Sequence, residues 1–259
     1  MDTQQQKLSK VLVIGDSCID LYHYGDCDRI SPEAPVPVLK VLRTEGLPGM
    51  ADNVAKNLES LHNKVETITN VDKIHKIRYV DNKTKQHLIR VDVGEDRPLL
   101  PLPIERVNLI NFSDYDCVVM SDYNKGFLRE RSIAAIIKKA KQARKPIFVD
   151  SKKNDLAVFK NCFIKINEAE YKKAKNIPNS SKLIVTLGAK GALFDGKIFP
   201  VEEAQVFDVC GAGDTFLAGL VTKYLVTKDI EEAIEYANKC AAVAVKKFGT
   251  YVINKQEVN

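Results

Sequence analysis

A glycine-rich turn that opens directly into an apolar helix is the most informative feature of the chain. It runs from Asp208 to Asp214 through Gly211, Ala212 and Gly213, and apolar residues follow at helical spacing. Free backbone N–H groups at a helix N-terminus bind anions, and glycines let the anion approach closely. A carboxylate repels a bound anion, but it can take a proton from an attacking hydroxyl. The turn therefore predicts a phosphate or oxyanion site with Asp214 as the base.

The alternative is purely structural, because aspartate is a common helix cap and a Gly-Ala-Gly turn by itself is a weak motif. The rest of the chain has to support the catalytic interpretation. No Gly-x-x-x-x-Gly-Lys-Ser/Thr loop occurs in the sequence, which excludes a P-loop kinase.

The composition is that of an ordinary globular protein. At 259 residues, with 45% hydrophobic and 28% charged residues, the chain is long enough for one large α/β domain. The net charge of +5 includes 34 acidic residues, and only 7% of the residues are aromatic. Because no basic stripe interleaves with aromatics, nucleic acid is not expected as a partner. A mildly basic surface suits nucleotides and sugar phosphates.

Cysteine usage and the N-terminal segment predict a cytoplasmic protein. The six cysteines form no C-x-x-C pair and no zinc-like spacing, which favours free thiols in a reducing compartment. The first ten residues are polar and do not resemble a signal peptide. No apolar stretch approaches membrane-spanning length, so no membrane association is expected.

The order of apolar runs predicts strands that alternate with helices. Strands are expected at 11–14, 65–69, 117–120, 147–150, 162–166 and 183–187, and helices at 51–61, 130–144, 168–175, 212–226 and 230–247. Segment 35–42 carries prolines and predicts an edge strand, while 76–80 and 87–91 predict a hairpin. Such an alternation indicates a mostly parallel sheet covered on both faces, with ligands beyond the carboxyl ends of its strands.

Two glycine signatures carry a family resemblance. Asp208-x-x-Gly-Ala-Gly-Asp214 and Pro48-Gly-Met-Ala-Asp-Asn53 resemble the C-terminal and N-terminal signatures of the ribokinase-like (PfkB) sugar kinases. Further stretches resemble the heptose-7-phosphate kinases of that family: Gly15-Asp-Ser-Cys-Ile-Asp20, Ile30-Ser-Pro-Glu-Ala-Pro-Val-Pro-Val38, Leu88-Ile-Arg-Val-Asp92 and Ser121-Asp-Tyr-Asn-Lys-Gly126. The resemblance implies a three-layer αβα sandwich as a single domain over 1–259, with a β-flap at about 22–48 and 76–92 that closes on the sugar.

The resemblance also implies roles for individual residues. The catalytic group is Asp214 as base, with the amides of Gly211, Ala212 and Gly213 as the anion hole. The substrate-binding group consists of Asp16, Asp20, Gly49, Asn53, Arg90, Asp122 and Lys125. The group that binds ATP consists of Asn167, Glu170, Thr186, Gly188, Gly191, Asn238 and Gly249. Glu170 would organise Mg²⁺ through water, and the loop at Gly249 would lie near the adenine or a monovalent cation such as K⁺.

The sequence departs from the family pattern in its centre. Members usually carry a strand–helix unit of about 30 residues where this chain has only the short connection 70–75. Met50 also replaces a glycine of the N-terminal signature. Loss of the unit leaves a sheet edge open, which favours pairing with a second copy. We therefore predict a homodimer through the β-flap, with Val36, Val38 or Val41 at the contact.

The resulting hypothesis is ATP-dependent phosphorylation of a sugar phosphate at the anomeric hydroxyl of D-glycero-D-manno-heptose 7-phosphate. Two alternatives remain open at this point. One is a kinase of the same family for another sugar or a nucleoside. The other is a non-catalytic sugar or nucleotide sensor on the same fold, which the missing unit would permit.

Overall fold

Six parallel strands form the centre of an eight-stranded sheet in the computed structural model, which describes residues 8–179, 182–202 and 205–258. The strands are β1 (Lys10–Gly15), β2 (Ser17–Ile30), β3 (Pro37–Met50), β4 (Lys64–Thr69), β5 (His75–Asp81), β6 (His87–Val93), β7 (Cys117–Asp122), β8 (Ile147–Ser151), β9 (Phe163–Asn167), β10 (Lys182–Thr186), β11 (Ala192–Phe194) and β12 (Lys197–Phe199). The helices are α1 (Ala51–Ser60), α2 (Ile104–Leu109), α3 (Glu130–Gln142), α4 (Glu168–Tyr171), α5 (Ala212–Thr227) and α6 (Ile230–Ala244).

The large sheet has the order β12-β11-β10-β9-β8-β7-β1-β4, with β11 and β12 antiparallel at one edge. Alternate residues of each buried strand enter different cores, as the period of two requires. Val11 and Val13 pack with α1, α5 and α6, whereas Leu12 and Ile14 pack with α2 and α3. Helices therefore cover both faces of the sheet, and the predicted three-layer α/β sandwich is confirmed.

A separate four-stranded sheet, in the order β3-β2-β5-β6, lies where the β-flap is predicted. Its β2 and β5 are parallel, and the two outer pairs are antiparallel. One face of this sheet buries Tyr22, Tyr24 and Val80 against Phe248 of the main body. The predicted edge strand with its prolines is part of β3, which indeed lies at an edge.

Three elements differ from the sequence prediction. The strand β2 and the helix α2 were not expected, and the helix predicted over 168–175 ends at Tyr171. It ends early because the backbone of Lys175 pairs with the segment at Asn154–Asp155, and Asn176 takes a positive φ of 51°. The other predicted strands and helices are present, and their ends differ by up to three residues, except that the strand predicted over 35–42 extends eight residues further, to Met50.

The shortened connection between β4 and β5 leaves β4 at the edge of the large sheet. Five of its six residues are exposed or half-buried, and Ile68 is its buried member. An open strand edge is therefore present at the point where the missing unit would pair. The division of the chain into a single domain stays a prediction.

Candidate active site

Asp214 lies in the first turn of α5 with both carboxylate oxygens hydrogen-bonded. The amide Nδ2 of Asn53 donates to Oδ2 over 2.9 Å, and the hydroxyl of Tyr123 donates to Oδ1 over 2.8 Å. The residue is 4% exposed. Burial raises the pKa of Asp214 to about 6, against the opposing effect of the hydrogen bonds from Asn53 and Tyr123. A carboxylate with such a pKa is ionised at neutral pH and can accept a proton.

The glycines before Asp214 are required for two different reasons. Gly211 has φ 75°, in the left-handed region that favours glycine. A Cβ at Gly213 would lie only 2.8 Å from Nζ of Lys165, so a residue with a side chain would displace that ammonium group. Gly211, Ala212 and Gly213 line a cavity at the start of α5, where an anion site is expected, and the N–H of Ala212 donates to the carbonyl of Val209 over 3.3 Å.

Four charged side chains form a network beside this helix terminus. Lys165 Nζ lies 2.7 Å from Asp150 Oδ2, and Lys152 Nζ lies 3.3 Å from the other oxygen of Asp150. Lys152 also pairs with Glu170 Oε1 over 2.6 Å. Burial would raise the pKa of Asp150, but the two ammonium groups hold it below its usual value. Positive and negative side chains alternate along this network, which lies beside Gly213.

Asn167 and Glu170 hold the start of α4 by a reciprocal capping box. Asn167 Oδ1 accepts the backbone N–H of Glu170 over 2.9 Å, and Glu170 Oε2 accepts the N–H of Asn167 over 2.8 Å. This leaves Oε1 of Glu170 for Lys152. Both side chains are therefore fixed at the carboxyl end of β9.

A cavity of about 1280 Å³ extends from the N-terminus of α5 across the carboxyl ends of β8, β9 and β10. The catalytic and nucleotide predictions that line it are Gly211, Ala212, Gly213, Asp214, Asn167, Glu170, Thr186, Gly188, Gly191 and Asn238. Gly249 is not among its lining residues. The structure thus brings together most of the residues predicted for ATP, although their roles stay predictions.

Gly249 and Asn238 each make a contact that organises the backbone. The N–H of Gly249 donates to Asp208 Oδ2 over 2.9 Å, and the N–H of Cys210 donates to Oδ1 over 3.0 Å. Burial would raise the pKa of Asp208, but these two bonds hold it below its usual value. Asn238 Nδ2 donates to the carbonyl of Phe199 over 2.8 Å, at the end of β12.

The residues predicted for the sugar are mostly bonded within the protein. Asp20 is 3% exposed and forms an ion pair with Arg78 on the neighbouring strand β5. A Cβ at Gly49 would lie 2.5 Å from Asp20 Oδ2, so glycine is needed for close approach. Asn53 is fully buried against Asp214. Asp20, Gly49 and Asn53 therefore converge on the flap side of α1.

Asp16 and Asp122 are two buried carboxylates at the ends of β1 and β7. Burial, together with the charge of Asp122, raises the pKa of Asp16 to about 6, and its Oδ1 has no hydrogen-bond partner. Asp122 is paired with Lys153 Nζ at 2.8 Å and accepts the hydroxyl of Ser151. Both carboxylates are fully buried.

The two predicted cationic ligands lie apart from Asp214. Arg90 is exposed on β6, where it pairs with Asp92. Lys125 pairs with Glu95 and lines a second cavity of about 520 Å³, together with Arg97 and Arg129. The structure does not bring Arg90 to the cavity at α5.

Three residues of the site were not identified from the sequence. Tyr123 stands inside the quoted Ser121–Gly126 motif, Arg78 within the predicted hairpin, and Lys165 inside the apolar run of β9. A lysine between two isoleucines in a buried strand is a visible signal, because lysine is rarely fully buried without a partner. The partners of Tyr123 and Arg78 depend on tertiary structure alone.

No group of three or more His, Cys, Asp or Glu side chains suited to a metal ion occurs within residues 8–179, 182–202 and 205–258. Over the same ranges, every helix is too short or too polar to cross a membrane.

Comparison with known proteins gives the chain clear relatives. Residues 73–257 match the pfkB family of carbohydrate kinases. The chain is 35% identical to the bifunctional protein HldE of Campylobacter curvus over 303 aligned positions, which cover 97% of this chain and 64% of that protein. It is 34% identical to HldE of Helicobacter pylori, covering 97% of this chain and 66% of that one. The chain thus spans about two thirds of the length of these curated relatives, and an alignment longer than 259 residues means that they contain residues that this chain lacks.

Solved structures share the fold at low identity. Phosphofructokinase-2 of Escherichia coli, in complex with potassium, superposes with a TM-score of 0.76 and 16% identity over 97% of each chain. Ribokinase of Arabidopsis thaliana, complexed with ribose and ATP, superposes with a TM-score of 0.71 and 15% identity, also over 97% of each chain. These similarities confirm the predicted ribokinase-like fold class.

Proposed function

The chain belongs to the pfkB family of carbohydrate kinases, and we propose that it transfers the γ-phosphoryl group of ATP to the anomeric hydroxyl of D-glycero-D-manno-heptose 7-phosphate. The family confirms the predicted enzyme class, a phosphotransferase with an alcohol group as acceptor. The heptose acceptor is supported by the motifs at 15–20, 30–38 and 121–126 and by the similarity to the HldE proteins.

One observation carries the phosphoryl-transfer proposal: a buried carboxylate lies directly beside open helix N-terminal amides. Asp214, with its pKa raised to about 6, accepts the proton of the acceptor hydroxyl as that oxygen attacks phosphorus. The amides of Gly211 and Gly213 bind the oxygens of the transferred group, and the amide of Ala212 joins them when it releases the carbonyl of Val209. Phosphoryl transfer needs chiefly this positioning and charge stabilisation.

ATP would lie in the 1280 Å³ cavity, with its phosphates toward α5 and its base toward Asn238 and the loop at Thr186–Gly191. The carboxylate oxygens of Asp150 and Glu170 face this cavity, and hard carboxylate oxygens are ligands that suit Mg²⁺. Because lysines are already paired with both carboxylates, the two residues fit a Mg²⁺ that is held through water molecules. The metal would neutralise charge on the phosphates. The loop held by Asp208 and Gly249 is the candidate neighbour of a monovalent cation such as K⁺.

A panel of acceptors tests the function. Purified protein with ATP and Mg²⁺ is offered the heptose 7-phosphate, hexose phosphates, free hexoses and nucleosides, and ADP release is measured. We expect turnover with the heptose 7-phosphate to exceed that with every other acceptor. Preference for another sugar or a nucleoside would overturn the acceptor assignment and keep the kinase. Binding without turnover for all of them would favour the sensor.

A homodimer through the β-flap is the second part of the proposal. The outer face of the four-stranded sheet, opposite the face that packs on Phe248, exposes the apolar side chains Ile19, Ile89, Val91 and Val93. On β3 and the loop before it, Val41 and Val36 are 46% and 50% exposed, and Val38 is half-buried. A second copy would cover this surface by a two-fold arrangement, the commonest closed solution.

Light scattering over a concentration series tests the dimer. Ile89→Glu places a charge in the outer face, and Val226→Glu is a matched control on α5, since the two residues are 57% and 58% exposed. We expect the wild type and Val226→Glu to be dimeric and Ile89→Glu to dissociate. A wild-type monomer at micromolar concentration would contradict the proposal.

A further inference from the structure

Lys165 is a buried lysine, and the packing of the sheet does not explain why a lysine occupies this position. It lies in β9 between Ile164 and Ile166, which face the core formed with α3, while Lys165 faces the opposite side. The residue is 2% exposed. A buried ammonium group costs several kcal/mol in solvation unless it is paired, and an apolar residue of similar volume is often equally stable there.

Asp150 holds the ammonium group in place. The two residues are register neighbours on the parallel strands β8 and β9, and Lys165 Nζ is 2.7 Å from Asp150 Oδ2. Asp150 also has Lys152 at 3.3 Å from its other oxygen, so its charge is shared between two cations. An ammonium group has three N–H donors, and the contact with Asp150 uses one of them, so Lys165 can also donate to a further anion.

The ammonium group faces the anion site. A Cβ at Gly213 would lie 2.8 Å from Lys165 Nζ, and Lys165 lines the large cavity together with Gly211, Ala212 and Gly213. An ion that enters this cavity and binds the amides at the start of α5 would come within reach of Nζ. The cation and the helix N-terminus thus converge on one place.

We propose that Lys165 is a catalytic residue that contacts the phosphoryl group transferred from ATP, and that Asp150 is its positioning residue. This inference rests on the proposed kinase function. In the step, the acceptor oxygen forms a bond to the γ-phosphorus as the bond from that phosphorus to the β–γ bridging oxygen breaks. The proton of the acceptor passes to Asp214, and ADP leaves with the bridging oxygen. Lys165 contributes charge and hydrogen bonds to the equatorial oxygens and gives up no proton.

Nucleotide binding by calorimetry tests this inference independently of any acceptor. ATP, ADP and adenosine are titrated into the wild type, Lys165→Met and Lys165→Arg in the presence of Mg²⁺. Lys139→Met is the matched control, because Lys139 lies on α3 across the sheet and donates to a backbone carbonyl at Asn108. We expect Lys165→Met to lose about tenfold or more in ATP affinity, as for a hydrogen bond to a charged group. Its adenosine affinity should stay within about twofold of the wild type.

The ratio of ATP affinity to adenosine affinity decides the outcome. An unchanged ratio in Lys165→Met overturns the proposal, as does an equal loss for both ligands, which would indicate a structural role. Partial recovery in Lys165→Arg supports it. If Lys165→Met does not fold, the double variant Asp150→Asn/Lys165→Met, which leaves no unpaired charge between these two positions, is compared with Asp150→Asn alone. A wild type that binds ATP but phosphorylates no acceptor would overturn the proposed kinase function, and the affinity ratio would still test whether Lys165 contacts the phosphates.

Discussion

The two sides of Asp214 are organised differently. Toward α4 and β10, the carboxylate borders an open cavity of about 1280 Å³ whose charged residues are held by local pairs such as Lys152 with Glu170. Toward the flap, Asp20 and Asn53 are 3% and 0% exposed and are bonded to Arg78 and to Asp214 itself. The side predicted for the nucleotide is accessible as it stands, whereas the side predicted for the acceptor is closed by its own hydrogen bonds.

This difference indicates how the two substrates would be received. A preformed cavity reorganises little when its ligand binds, so little of the binding free energy is lost in ordering the site. An acceptor hydroxyl would instead have to approach a carboxylate to which Asn53 and Tyr123 already donate, one to each oxygen. The flap carries Asp20 and Arg78 on β2 and β5, so a displacement of that sheet would move the predicted acceptor residues together. Variants on the two sides should therefore separate acceptor effects from nucleotide effects.

Asp214→Ala should give the largest effect, because the residue serves both sides. Removal of a general base typically costs about 10²- to 10⁴-fold in turnover. ATP affinity should stay close to that of the wild type, since the amides of α5 and the cavity are left intact. Steady-state kinetics and nucleotide titration measure the two quantities separately.

Asp214→Asn is the control, because it keeps the shape of the side chain and its contact with Asn53 but cannot accept a proton. It should be as inactive as Asp214→Ala. Wild-type-like turnover in either variant would show that Asp214 has only a structural role, through its hydrogen bonds with Asn53 and Tyr123.

Arg78→Met should affect the acceptor side alone. Loss of the guanidinium leaves the carboxylate of Asp20 buried without its partner, which typically costs about 3–5 kcal/mol of stability. We expect the KM for the sugar to rise about tenfold, a loss of about 1.4 kcal/mol in acceptor binding. The KM for ATP should not change.

Arg78→Lys, which keeps the charge, should be more stable than Arg78→Met and intermediate in its KM for the sugar. Thermal unfolding and kinetics with each substrate varied in turn provide the measurements. An equal rise in both KM values would mean that the two sides are not independent.

The fold was largely predictable because periodicity is a local property of the sequence. Apolar runs of four or five residues and the stripes of α1, α3, α5 and α6 indicated the layers directly. The strand β2 was missed because Asp20 and other charged residues interrupt its alternation, and only the contact with Arg78 makes a buried aspartate acceptable there. The end of α4 depends on a bridge between Asp155 and Lys175, which no local pattern reveals.

The site was predictable to a smaller extent, and for the same reason. The turn from Gly211 to Asp214 has a local signature, and the structure places it at a helix N-terminus beside a cavity. Tyr123 is separated from Asp214 by 91 positions, so its contact requires the order of the strands as well as their identity. The role of Arg90 stays a prediction: the motif resemblance groups it with the sugar-binding residues, and the structure makes it the cross-strand neighbour of Arg78, which pairs with Asp20.

Tyr123→Phe should give the smallest effect and the most specific one. The hydrogen bond from the Tyr123 hydroxyl lowers the pKa of Asp214, which burial raises to about 6. Below that pH, Asp214 is protonated and cannot act as a base, so kcat/KM should fall as the pH decreases through about 6. Without the hydroxyl, the pKa rises further, and the acidic limb of the profile should move to higher pH.

Asp16 is the group that could imitate this behaviour, because burial and the charge of Asp122 raise its pKa to about 6 as well. The variant Asp16→Asn separates the two carboxylates, since it removes one titration and leaves the bonds of Asp214 unchanged. If Asp214 is the base, the acidic limb shifts in Tyr123→Phe and keeps its position in Asp16→Asn. A limb that is unmoved in Tyr123→Phe and lost in Asp16→Asn would assign the titration to Asp16. The pH dependence of kcat/KM would then come from Asp16, a carboxylate on the closed side of Asp214 that does not contact the phosphoryl site.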